Sequence, residues 1–151
     1  MLFLDPFGTQ VDWSTLEAIA GYKLDTWILF PTGTIARMLP RSRIPDDISL
    51  EWARTLTRVY GDERWRNLYK WSPKDLFGES RLERQPGVNG LRKIYKERLK
   101  ELFGRRFLDQ SRTLKNTRNS PMYEFMFCVG NDSQAAIGAA KRIAKHLVDR
   151  L

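Results

Sequence analysis

Met1-Leu2-Phe3-Leu4-Asp5-Pro6-Phe7-Gly8 opens the chain, and its reading decides the fold. Leu2, Phe3 and Leu4 form an apolar run too short for a helix, and Asp5-Pro6 with Gly8 ends it. Such a run reads as a strand buried on both faces, as in a parallel sheet. Asp12 to Gly21 then reads as a helix, because Ser14-Thr15-Leu16-Glu17 has capping-box spacing. Leu16, Ile19 and Ala20 would line its inner side. A second apolar run, Leu24 to Phe30, is stopped by Pro31 and Gly33. Strand, helix, strand is a βαβ unit with parallel strands. In such sheets ligands bind beyond the carboxyl ends of the strands. Asp5-Pro6-Phe7-Gly8 falls at that edge, which makes it the candidate site. An Asp-Pro turn, with Asp5 capping the following amide, accounts for the same residues without a ligand.

Downstream, Thr34 to Leu39 is expected as one helical turn, and Pro40 and Pro45 bracket a basic loop, Arg41-Ser42-Arg43. Residues 41–86 read as a helical insertion. In it Ser49 caps a helix that runs to Tyr60 and closes at Gly61, and a short helix follows with Trp65, Leu68 and Tyr69 inward. Trp52, Trp65 and Trp71 lie among Arg64, Arg66, Lys70 and Lys74. At helical spacing they read as core; aromatics interleaved with cations also suit stacking on nucleobases. Leu91, Ile94, Tyr95, Leu99 and Leu102 repeat at helical spacing up to Phe103, with Gly104 closing the helix. Phe107 to Lys115 and Met122 to Val129, joined by a turn at 116–121, read as an antiparallel hairpin. The second stretch is nearly all apolar and belongs inside the sheet. The first carries Asp109, Arg112 and Lys115 and suits an edge. Ser133 begins a last helix to about Val148, with Ile137, Ala140, Ile143, Ala144 and Leu147 as its apolar stripe. The expected fold class is α/β: two parallel strands, then an antiparallel terminal hairpin, with helices on the faces and a helical insertion.

At 151 residues the chain reads as one domain with a proper core. Its net charge of +8 is unevenly spread. Residues 1–40 hold two basic and four acidic side chains, and residues 87–151 hold fourteen and six. A basic excess of this kind suits a polyanionic partner, nucleic acid above all, and equally serves as a solubilising surface. A single cysteine, Cys128, excludes an internal disulfide and a cysteine-cluster metal site, and the single histidine, His146, is expected on the surface. No apolar run approaches a membrane span. Asp5, Asp12, Glu17 and Asp25 near the start are unlike a signal peptide. A cytoplasmic protein with no membrane partner is expected.

The element order resembles the second half of a Rossmann-like, S-adenosylmethionine-dependent methyltransferase, where parallel fourth and fifth strands lead to a reversed terminal hairpin. Phe3-Leu4-Asp5-Pro6-Phe7-Gly8 resembles the Asp/Asn-Pro-Pro-aromatic motif of enzymes that methylate exocyclic amines in nucleic acids, with the aromatic residue one place early and Gly8 after it. The chain as a whole is similar to the carboxyl half of the three-Cys-motif partner (TcmP) family. The likeness lies in residues 3–8, in Leu-Asp-Thr-Trp-Ile-Leu-Phe at 24–30 ahead of Arg37, and in Pro121-Met122-Tyr123 to Phe127; it is weakest over 41–86. The resemblance implies Asp5, Pro6 and Phe7 as the catalytic group and Gly8, Arg37, Arg41 and Arg43 as substrate contacts. The chemistry is reasonable for those residue types. The Asp5 carboxylate and the Pro6 carbonyl can accept hydrogen bonds from an amine, and Phe7 offers a ring for an extruded base.

The resemblance also implies S-adenosylmethionine as cofactor. Its Gly-rich turn and ribose-binding acid would precede Asp5, and only four residues do. The ten glycines include no Gly-x-Gly pair. The cofactor half is therefore expected in an upstream segment or another chain, pairing at an exposed apolar strand formed by residues 1–4. Two alternatives stand beside this reading. One is a non-catalytic nucleic-acid-binding or protein-interaction module; the other is a hydrolase using Asp5 and Asp25.

Overall fold

The computed structural model describes residues 1–5, 8–39, 47–74, 76–84 and 88–150, the side chains of 148–150 excepted. Strand β1 (Leu2–Leu4) is followed by helix α1 (Trp13–Ala20) and strand β2 (Thr26–Phe30). Helices α2 (Thr32–Met38) and α3 (Leu50–Tyr60) come next, then a 3-10 turn at Arg64–Leu68 and the short strands β3 (Tyr69–Trp71) and β4 (Leu82–Arg84). Helix α4 (Asn89–Phe103), strands β5 (Phe107–Lys115) and β6 (Pro121–Cys128) and helix α5 (Gln134–Arg150) complete the chain.

The main sheet has the order β1-β2-β6-β5. β1 and β2 are parallel, with Leu2, Phe3 and Leu4 opposite Thr26, Trp27 and Ile28. β6 runs antiparallel to β2 on one side and to β5 on the other. The expected parallel pair and terminal hairpin are both present, with β6 inside and β5 at the edge. β3 and β4 form a separate two-stranded sheet, so the second half of segment 41–86 is a β-ribbon where only helix was expected.

Side chains alternate across the sheet with the period of two that strands impose. On one face Ile28, Phe30, Met126, Cys128 and Phe107 pack against α1 to α4. Leu16 of α1, Ile35 of α2, Leu56 and Tyr60 of α3, and Leu91 and Leu99 of α4 are all fully buried there. Each such side chain contributes about 1.5–3 kcal/mol through loss of apolar surface to water. On the other face Trp27, Phe127 and Leu108 pack against Ile137, Ala140 and Ala144 of α5. The stripe expected on α5 is only half covered, since Ile143 and Leu147 face solvent.

Three local expectations meet a different outcome. β1 is the exposed edge expected at residues 1–4, but it is not buried on both faces: Phe3 is 52% exposed and Leu2 and Leu4 are half-buried. The capping box at Ser14 does not form, because the cap lies two residues earlier: α1 starts at Trp13 and Asp12 takes the cap position, with its carbonyl accepting from the Thr15 amide at 3.0 Å. Burial of Trp13 sets that start. The single turn expected at 34–39 is two turns long, from Thr32 to Met38. The Ser49 cap forms as expected, its hydroxyl accepting from the Trp52 amide at 3.2 Å, and Gly61 closes α3 at φ 78°.

Candidate functional site at the carboxyl edge of the sheet

The parallel direction of β1 and β2 brings Asp5, the turn at Gly8 and the start of α2 to one edge of the sheet. Asp5 follows β1 directly and is exposed. Gly8 adopts φ 72°, a left-handed turn that favours glycine, and reverses the chain toward α1. Arg58 of α3 ties that loop down: its Nη2 donates to the Thr9 carbonyl at 3.4 Å and its Nε pairs with the Asp12 carboxylate at 3.1 Å. Arg37 lies in the last turn of α2, exposed, and donates to the Thr34 hydroxyl at 3.1 Å. Pro6, Phe7, Arg41 and Arg43 lie outside the described residues. Of the expected site residues, Asp5, Gly8 and Arg37 are the described ones.

The tip of β2 is roofed over. Pro31 and Thr32 are buried, and Gly33 sits so close to β6 that a methyl group there would meet the Pro121 carbonyl at 3.1 Å. Thr9, Val11, Pro31, Val59 and Tyr95 enclose a cavity of about 10 Å³, room for about one water. Burial pushes the Tyr95 phenol well above its ordinary pKa, so it is neutral there. The Thr32 hydroxyl is buried with no hydrogen-bond partner among the described residues. S-adenosylmethionine is far larger than this cavity, so the described residues at the strand tips do not fit the cofactor. No chemical step through it follows from them. Among the described residues no group of three or more His, Cys, Asp or Glu could hold a metal ion.

One polar cluster escaped the sequence reading. Glu124 of β6 is buried and accepts from Arg92 of α4 at 2.8 Å, from the Thr113 hydroxyl at 2.7 Å and from Ser111. It sits under a groove of about 540 Å³ lined by Lys93, Lys96, Lys100 and Asp109. Its signal was a lone acidic residue in an otherwise apolar strand, Met122-Tyr123-Glu124-Phe125-Met126-Phe127. Three donors occupy its carboxylate, which fits a role in joining α4 to the hairpin.

The buried thiol of Cys128, expected in a strand, lies in β6 against the main core, and burial pushes its pKa up. His146 is exposed, as expected. No helix among the described residues is long and apolar enough to cross a membrane. Comparison with family models, with curated proteins and with solved structures finds no match to this chain.

Proposed function

We propose that the chain is the substrate-side part of a methyltransferase-like protein of the three-Cys-motif partner type, acting on or binding nucleic acid. The observation that carries this reading is the sheet order β1-β2-β6-β5, a parallel pair continued by a reversed hairpin. That is the arrangement the resemblance requires, and it leaves Asp5 open at the carboxyl edge. Asp5 and Pro6 would hold an exocyclic amine by accepting its hydrogen bonds, Phe7 would stack on the base, and Gly8, Arg37, Arg41 and Arg43 would hold the backbone of the substrate. S-adenosylmethionine would be supplied with a second half of the sheet, from an upstream segment or another chain. The free edge of β1 supports that docking. Leu2 donates its amide to the carbonyl of Asp25, just before β2, at 2.7 Å, so alternation turns the Phe3 amide and carbonyl outward.

The test is calorimetric titration of S-adenosylmethionine into the 151-residue chain and into a chain extended through its upstream coding sequence, followed by methyl transfer to DNA and RNA. Binding and transfer by the extended chain alone are expected, with transfer lost or weakened in Asp5→Ala and cofactor binding kept. Tight cofactor binding by the shorter chain, or transfer that survives Asp5→Ala, would overturn the assignment. The basic α5, with Lys141, Arg142 and Lys145 exposed, favours a second reading, a non-catalytic nucleic-acid-binding module. That reading predicts salt-sensitive binding that Asp5→Ala leaves unchanged, with no transfer.

A further inference from the structure

We infer that the β3–β4 ribbon is a nucleic-acid-contacting arm whose apolar tip stacks on unpaired bases; this rests on the nucleic-acid reading above. Tyr69 and Trp71 point to the same side of β3. Tyr69 is buried at the base of the ribbon, while Trp71, two residues further out, is 70% exposed. Beyond it Leu76 is fully exposed and Phe77 is 90% exposed. Three large apolar side chains this exposed within one short ribbon suit a contact surface. The core supplies the contrast, since Trp65, expected to be core with Trp71, is fully buried. The ribbon is ordered along its stem: the Ser72 amide donates to the Arg81 carbonyl at 2.7 Å, and the Arg81 amide donates to the Ser72 hydroxyl at 2.9 Å.

The position of the arm selects its occupant. β5 begins opposite Cys128, which itself faces Thr26 at the start of β2. Helix α4 leads into that end, so its own start lies toward the carboxyl edge, where Arg92 reaches Glu124 opposite Phe30. The ribbon rises beside the start of α4. Gly90 is so near Leu68 that a methyl group there would meet the leucine at 2.8 Å. The arm therefore springs from the same edge as Asp5, and a polymer bound at that edge would run past it. Exposed Lys70 and Lys74 flank Trp71, with Glu83 opposite Lys70 on β4, and give the ring a cationic border that suits a polyanion. An exposed ring flanked by cations is the surface on which single-stranded nucleic acid stacks.

The experiment measures binding of a labelled oligothymidylate to the full chain by anisotropy across a salt series, for the native protein, Trp71→Ala/Phe77→Ala and Trp71→Phe. The double variant is expected to lose about tenfold or more in affinity, with the salt slope unchanged because every cation remains. Trp71→Phe is expected to keep most of the affinity. Thermal unfolding midpoints near that of the native protein verify that the variants fold. Native-like binding by the double variant overturns the arm and leaves the nucleic-acid reading standing. No binding by the native chain at low salt overturns both. Vesicles of zwitterionic and anionic lipid serve as the second probe: binding to them that is lost in the double variant, with oligothymidylate binding unaffected, assigns the tip to a membrane surface instead.

Discussion

Removing Arg92 should destabilise the protein more than neutralising Glu124, although the two share one ion pair. The Glu124 side chain is 4% exposed and that of Arg92 is 21% exposed. In Arg92→Met the carboxylate stays buried with only the Ser111 and Thr113 hydroxyls to solvate it. Breaking a buried pair in that way costs about 3–5 kcal/mol. Partial exposure lets water into the vacated place, so the low end, about 3 kcal/mol, is expected. In Glu124→Gln the shape and one acceptor survive, and the unpaired cation lies nearer to solvent and keeps Asn89 and Thr113 as partners. About 1–2 kcal/mol is expected there. Arg92→Met/Glu124→Gln should then cost less than the sum of its singles by about 2 kcal/mol. Urea unfolding at neutral pH measures all four proteins, with midpoints moving and the m-value fixed. If Glu124→Gln costs more than Arg92→Met, or if both singles fall below about 0.5 kcal/mol, which is within the range of ordinary surface substitutions, the cluster does not join α4 to the hairpin.

Phe3→Lys places a charge on the open edge of β1 and should weaken any self-association or partner capture through residues 1–4 by about tenfold or more. Sedimentation over a concentration series reads this, and a native chain that stays monodisperse at high concentration counts against an adhesive edge. Gly61→Ala combines left-handed backbone with a methyl group 2.3 Å from the Trp13 ring and 2.8 Å from the Arg98 guanidinium. The two effects together should cost roughly 2–4 kcal/mol, seen as a fall in the thermal midpoint, and an unchanged midpoint would refute the close approach. Burial raises the folded pKa of Tyr60, Tyr95 and the Cys128 thiol above their unfolded values. The stability linked to these groups is therefore complete below the unfolded values, about 8.5 for the thiol and about 10 for the phenols, and is lost as pH rises beyond them. Denaturant midpoints above that range should fall, and at neutral pH a thiol reagent should label Cys128 only as fast as the chain unfolds.

Periodicity was a reliable guide where one face of an element decides its partners. The repeat at Leu91, Tyr95, Leu99 and Phe103 and the near-unbroken apolar run of β6 both report burial directly, and both elements formed where expected. Ser49 and Gly61 marked the ends of α3 because a cap hydroxyl and a left-handed closing residue are local requirements. The ribbon at 69–84 was hidden, since its strands are three residues long and its turn carries ordinary loop residues. The three tryptophans of that region share one composition and three different fates. Trp65 is fully buried, Trp52 is partly exposed and Trp71 stands in water. Spacing along the chain does not say which side of a ribbon the core will cover.

The candidate site divides in the same way. That Asp5 follows a strand, and that this strand runs parallel to the next, was written in the order of apolar runs and breakers, because chain direction and turn chemistry are local. Which tips stay open was not. Val11 of the loop before α1, Val59 of α3 and Tyr95 of α4 close over Pro31, while nothing among the described residues closes over Asp5 in the same way. The sequence by itself determined the strands of the main sheet, the helices that cover it, their order and the α/β class. Only the tertiary structure decided that Glu124 is buried against Arg92 and that the tip of β2 is sealed, because each depends on contacts between residues tens of positions apart, whose pairing no local pattern encodes.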